Sequence, residues 1–446
     1  MSRPNLKFNE QAPGIACAAV SDVGMRRNNN QDSLAITLAP VVNVWRQRGH
    51  LFVVADGMGA HAAGELASQI ATENIPLTYY KLKDHPPAEA IVAAVEDANN
   101  RIHQRGKDSV DFHGMGTTCS CLLLLPEGAV AAHVGDSRVY RLRNAQLEQL
   151  TFDHSLVWEM GAAAQATEEQ VPAYVPRNVI TRSLGPHPVV KVDVEGPLPT
   201  LRGDRFLLCS DGLTGPLTPE LIGMVIHALA PGDAAQTLVD LANLLGGPDN
   251  ISVIVVEAAN LSRIEGNEGD ESQVDPAAET GVWVSWERYV SPAALIGAGA
   301  AAAGAAALAS FGMVWAALAT SAAALGLAWL GVSSRRNDDG WGGGYVHLRP
   351  SGKGPYRRYD VAPNGQRIEV LGEIVRQIED LEAQQEWGFD WTPIHEDRIS
   401  ALQAVARGDF SAAVSHYCST VRRLMKALRE TQNPGPSDST INLDED

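Results

Sequence analysis

The chain has 446 residues, 45% of them hydrophobic and 20% charged, and a formal net charge of −18. That length calls for two or three folding units with sizeable cores, and that excess of acid excludes nucleic acid as a main partner, because phosphate backbones are bound by clustered Lys and Arg. The five cysteines (Cys17, Cys119, Cys121, Cys209, Cys418) are odd in number and set mostly in apolar runs, which suits reduced, buried thiols in a reducing compartment better than a disulfide framework.

The opening MSRPNLKFNEQ has no apolar stretch, so no signal peptide is expected and the first domain is read as cytoplasmic. Residues 1–258 then alternate strand-like runs with Gly, Asp and Asn turns, the pattern of a mixed α and β domain rich in sheet. "VSDVGMRRNNNQDSLAIT" gathers Arg27, Asn30, Gln31 and Asp32 at a turn before a strand. "LFVVADGMG" ends a buried strand on Asp56, followed by Gly57 and Gly59, which allow close approach of the backbone. "VAAHVGDSRVYRL" stops at Gly135-Asp136, "RFLLCSDGLTGPLT" at Asp211-Gly212, and "GGPDNISVIVVE" begins a strand after Asp249-Asn250. One aspartate at a strand end is usually a turn former. A set that converges on one end of a sheet is a donor set for hard divalent cations. Two such ions about 3.5–4 Å apart hold and activate a water for attack on phosphorus, and a nearby arginine, here Arg27, offers a fork to phosphoryl oxygens.

Residues 259–292 are acidic and turn-rich and read as a flexible linker. Residues 293–332 hold no charge over roughly twice the length of one membrane span. With Arg335 and Arg336 directly after it, the segment is expected to cross as a helical hairpin with both flanks in the cytoplasm, a single span and an Ala-rich buried helix being the alternatives. In 333–432, Val370–Glu386 carries an apolar stripe at helical spacing, and Arg398–Ala427 reads as two amphipathic helices broken at Gly408-Asp409 that faintly resemble one tetratricopeptide unit and are read as a small helical packing unit. Residues 433–446 form an acidic, frayed tail.

Taken in order over about residues 15–257, "SDVGMRRNNNQDS", "VVADGMGAHAAGE", "GMGTTCSCLLL", "AHVGDSRVYRL", "LTFDHSLVWEM", "RNVITRSLG", "LLCSDGLTGPL" and "DNISVIVV" resemble the metal-dependent (type 2C, PPM-type) serine/threonine protein phosphatases in their bacterial form. The resemblance implies an α+β fold, a β-sandwich flanked by helical layers, with a binuclear Mn²⁺ or Mg²⁺ centre at one end of the sheets. It makes Asp56 the bridging ligand, puts the Gly57 carbonyl on one ion and Asp211 and Asp249 on the other, and has Asp32 act through water. Asp136 and Asp211 match the ligands of a third, weaker ion, and Arg27 matches the phosphate-binding arginine. Ala60 departs from the family's Gly, Gln31 stands where other members carry Glu, and Glu159–Pro176 matches the flap beside the site poorly, which leaves the substrate open. His61, His133 and His154 are candidates for a general acid, His61 being nearest Asp56.

The function so implied is hydrolysis of phosphoserine and phosphothreonine in proteins at the cytoplasmic membrane, reversing a serine/threonine kinase there. The alternative is a catalytically silent phosphatase-like binding module. No cysteine carries an arginine six residues on, so a thiolate phosphatase is excluded.

Overall fold

Thirteen of the described strands fall into two sheets. One runs β10 (Asp193–Leu198), β7 (Gly128–Val134), β6 (Cys119–Leu125), β4 (His50–Met58), β3 (Asp32–Thr37), with β5 (Gly116–Thr117) paired to β4. The other runs β1 (Leu6–Ala12), β2 (Ile15–Asp22), β12 (Ile251–Ala258), β11 (Arg205–Cys209), β8 (Arg138–Arg143), β9 (Gln146–Gln149), β13 (Arg357–Asp360). This computed structural model describes residues 6–12, 14–59, 62–164, 170–172, 174–259, 352–385 and 390–432. All of them belong to one unit, Met1–Gly266 together with Leu348–Asp446.

Side-chain alternation explains the layers. In β4, Leu51, Val53 and Ala55 face helices α2 (Ala63–Lys81) and α3 (Pro87–Asp108), where they meet Ala67, Ala71, Ile91 and Ala98. Phe52 and Val54 face the other way, toward Ala19, Phe206, Leu208 and Ile254 of the opposite sheet. Both faces of the strand are covered, which is why it reads as a continuous apolar run. The second sheet does the same: Leu207, Val253 and Val255 pack under α6 (Pro219–Ala228) and α7 (Pro231–Leu244). The result is the expected sandwich between helical layers. All five cysteines are free and buried.

Residues beyond the linker depart from the sequence reading, which set 333–432 apart as a helical region. Here β13 pairs antiparallel with β9, Arg357 opposite Gln149 and Asp360 opposite Gln146. Helices α8 (Gly365–Gln385), α9 (Thr392–Ala406) and α10 (Phe410–Gln432) follow, with Gly408 at φ 75° in the α9–α10 turn. Their apolar faces, including Ile368, Leu371, Val421 and Leu424, continue the core beneath α6 and α7. Val361 presses so closely on Gly223 of α6 that a methyl there would collide with it. The Gly354 amide (2.7 Å) and the Tyr356 hydroxyl (2.5 Å) donate to the buried Glu195 carboxylate of β10. The strand was illegible because RRYD carries no hydrophobic alternation; an edge strand can remain polar.

The hairpin expected at 293–332, the linker from residue 260 on, the 433–446 tail and His61 lie outside the described residues. Among the described residues, no helix is long and apolar enough to cross a membrane.

Candidate active site at the seam of the sheets

The register of β3 and β4 places Asp32 directly opposite Asp56. Leu34 and Ile36 of β3, and Phe52 and Val54 of β4, face the gap between the sheets. Period-two alternation carries Asp32 and Asp56 to that same side. Like charges at opposed positions destabilise a sheet, so the pairing needs a reason beyond folding. The opposite sheet brings three more carboxylates to this end: Asp211 opens the short helix α5 (Asp211–Thr214) after β11, Asp249 precedes β12, and Asp136 lies in the β7–β8 crossover between the sheets.

Neutral donors fix the frame around them. Asp56 accepts at its carbonyl from Thr118 N (2.8 Å) and Thr117 Oγ1 (2.9 Å), and its amide donates to Thr118 Oγ1 (2.9 Å). Its backbone is therefore held on both sides while its carboxylate stays available. Ser210 Oγ donates to Asp32 Oδ2 at 2.8 Å, and Ser252, itself bonded to Ser21 Oγ at 2.8 Å, is a second donor. Asn250 organises the loop that carries Arg27. Its amide donates to the carbonyls of Val23 and Asn29, both at 2.9 Å, and its oxygen accepts from Gln31 N at 2.8 Å. Sequence reading quoted Asn250 but gave it no role; an Asn just before a strand looks like a turn residue, and its three loop partners appear only in the fold. Gly57 faces the Gly64 carbonyl of α2, where a methyl would collide, so close helix approach requires glycine there whatever its carbonyl holds.

Arg27 and Arg138 offset part of the charge on Asp211, but burial and the neighbouring carboxylates prevail in the cluster. Burial pushes the Asp32 carboxyl up to about 7, against the Ser252 and Ser210 donors and with help from Asp211 and Asp249. Burial also raises Asp136 to about 8, with Asp211 and Asp153 adding to it and Arg138 opposing. Asp56 is held well above the usual carboxylate range by burial and then by Asp32, Asp211, Asp136 and Asp249. Asp211 is raised by burial and Asp249, with a hydrogen bond to Asp56 opposing. The five predicted aspartates therefore lie close enough for the carboxylates to raise one another. Arg27 stands at the rim, its Nη2 2.7 Å from Asp249 Oδ2, with 49% of its side chain exposed.

Asp32, Asp136 and Asp211 each keep one buried Oδ1 with no hydrogen-bond partner. Among the described residues no three His, Cys, Asp or Glu side chains already close a cage around one ion. Even so, an all-oxygen donor set with orphaned buried oxygens fits hard divalent cations, which take carboxylates, carbonyls and waters. His133 and His154 serve the architecture. His133, lowered to about 3 by burial, bonds Ser120 Oγ (2.9 Å) and the Gly135 carbonyl (2.9 Å). His154 Nδ1 accepts from Gly135 N at 2.9 Å, and its Nε2 lies 3.0 Å from Asp193.

Residues 25–245 match the family described as Protein phosphatase 2C. Protein phosphatase PhpP of Streptococcus pneumoniae is 37% identical over 243 residues, which cover 53% of this chain and 95% of that protein. This chain belongs to the PP2C-type serine/threonine protein phosphatases. The phosphatase is also 35% identical over 250 residues to serine/threonine protein phosphatase PstP of Mycobacterium tuberculosis, a match covering 54% of this chain and 45% of the relative. A solved structure of the PstP catalytic domain in complex with 2 manganese ions is 33% identical, with a TM-score of 0.46, and covers 55% of this chain and 99% of that one. In the phosphatase, residues 352–432 lie beyond the family match.

Proposed function

We propose that the phosphatase hydrolyses phosphoserine and phosphothreonine in proteins at a centre holding two Mn²⁺ or Mg²⁺ ions. The observation that carries this is the meeting of five aspartates at the seam of the sheets, three with an orphaned buried oxygen. Asp56 would serve both ions, the Gly57 carbonyl would join it on one, Asp211 and Asp249 on the other, and Asp32 would act through water. Bound there, the ions supply a Lewis-acidic centre that makes a water nucleophilic near neutral pH and polarises the phosphoryl group. The chain's own part is to hold and orient. The Thr117–Thr118 bonds keep Asp56 aimed into the gap, and Arg27 grips the phosphoryl oxygens. Asp136 with Asp211 would hold a third, weaker ion.

Titrating Mn²⁺ while following hydrolysis of a phosphothreonine peptide by the full chain tests the reading. Activity is expected to rise with the metal and to vanish in EDTA. Full activity in EDTA refutes the metal centre, and none at saturating Mn²⁺ favours the silent binding module.

The substrates on this reading are a serine/threonine kinase or its targets at the cytoplasmic face of the membrane. Support for 293–332 as a hairpin comes from β13: a strand that follows the uncharged segment pairs with β9, which precedes it, so both flanks belong on one side. A reporter fused after Asp446 is expected to work only in the cytoplasm; activity only outside refutes the hairpin, and recovery of the whole protein in the soluble fraction refutes any span.

A further inference from the structure

On the α7 side of the second sheet two carboxylates, Asp22 and Asp240, are buried at 4% and 3% exposure. The cation that serves them comes from far along the chain. Arg429, near the end of α10, places Nη2 2.9 Å from Asp22 Oδ2 and 3.4 Å from Asp240 Oδ1. Arg429 lies well outside the residues that match the family.

Asp22 is the anchor of the Arg27 loop. It ends β2 and lies opposite Ile251, and Asp249 stands just before that partner strand. Its Oδ1 accepts from Gly24 N at 2.9 Å, the first turn of the loop, and from Asn243 Nδ2 at 3.1 Å. Gly24, at φ 80°, is pressed against the Asp249 carbonyl so tightly that a methyl would collide with it. Met25 N and Arg26 N then bond the Gly247 carbonyl at 2.9 and 3.2 Å, and Arg27 follows. The path from Arg429 to Arg27 is thus one ion pair and one tight turn.

We propose that Arg429 is a positioning residue for Arg27: by neutralising and holding Asp22, the last helix fixes the loop that aims the phosphate-gripping guanidinium. Removing Arg429 takes a charged donor from the buried Asp22 Oδ2 and, at 3.4 Å, from Asp240 Oδ1, which also accepts from Gln236 Nε2 at 2.8 Å. Breaking a buried pair from one side is costly, so the loss of that hold on Asp22 loosens the Gly24 turn. The inference rests on the reading of Arg27 as the phosphate-binding residue. It also makes the docking of α10 part of the substrate site rather than a neighbouring domain.

The test uses the full chain with Mn²⁺ and p-nitrophenyl phosphate. Arg429→Ala is expected to raise KM by about 3–30-fold with kcat changed by less than about twofold, and Arg429→Lys to restore most of the loss. In an Arg27→Ala background, Arg429→Ala is expected to add little, because the two act on one contact. Amide exchange at Gly24 and Met25 is expected to quicken in Arg429→Ala whether or not the enzyme turns over. Arg422→Ala, which removes the pair between α10 and Asp233, controls for general loosening of the helix and is expected to leave KM alone. Unchanged KM with unchanged exchange at 24–25, full additivity with Arg27→Ala, or an equal effect from Arg422→Ala overturns the proposal. Absence of metal-dependent activity in the unaltered chain refutes the proposed centre instead, and the exchange measurement still decides the Arg429 contact.

Discussion

Replacing Asp56 with Asn is expected to lower kcat by about 10³-fold while making the metal-free protein more stable, by on the order of 2 kcal/mol. The two effects have one cause. Asp56 faces Asp32 across the sheet and feels Asp211, Asp136 and Asp249 as well, so it is the member of the cluster with the most to gain from a cation and the most to lose without one. An amide of the same shape removes the repulsion and, with it, the carboxylate proposed to serve both ions. The pH dependence of the metal-free protein follows the same sign. Asp32 and Asp136 are raised from 3.8 to about 7 and about 8 in the folded state, so the fold binds protons that the unfolded chain releases. Their stabilising contribution is full below about pH 4 and is lost as pH rises through 7 to 8. Thermal unfolding in EDTA from pH 4 to 8.5 measures both, and Mn²⁺ is expected to reverse the neutral-pH loss. A metal-free Asp56→Asn protein less stable than its parent at pH 7.5 contradicts this account of the cluster.

Arg27→Ala is expected to cost about 10–100-fold in kcat/KM, a charged hydrogen-bonding group being worth roughly 1.5–3 kcal/mol, with most of the loss in KM. The rival view is that Arg27 is only the surface partner of Asp249, 2.7 Å away and exposed. A pair of that kind contributes about 1 kcal/mol at most, and its loss leaves turnover intact. Calorimetric Mn²⁺ titration separates the two roles further. Because the guanidinium occupies an Asp249 oxygen, its removal is expected to leave metal affinity unchanged or slightly tighter. Loss of the tight sites contradicts the assignment of Arg27 to phosphate.

The carboxylates were legible because each sits in a short contiguous motif at the end of an apolar run, and Asp32, Asp56, Asp136, Asp211 and Asp249 do gather at one seam. Their electrostatics were not, since the opposition of Asp32 and Asp56 depends on strand register. Gly57 illustrates a partial reading. Sequence predicts a glycine that lets backbone approach an ion, and the structure adds an approach of helix to strand. His133 and His154 looked like acids because His is chemically versatile, yet their ring nitrogens are occupied in holding the β7–β8 crossover. The role of residues 352–432 was hidden for a different reason. Helical stripes declare that a face is covered but not by what, and the partners Asp22 and Glu195 lie far back along the chain, on β2 and β10.

Pairing β13 with β9 has a consequence for synthesis. Arg357 and Gln149 are neighbours across the sheet, so when the catalytic half leaves the ribosome its sheet still ends on an open strand. An unpaired edge is a template for association with another chain, and nascent domains are most vulnerable while such surface is uncovered. The polar strand RRYD, arriving after the linker and the uncharged segment, closes that edge from within the same molecule. Closure of that edge is thereby deferred until Arg357–Asp360 have been made.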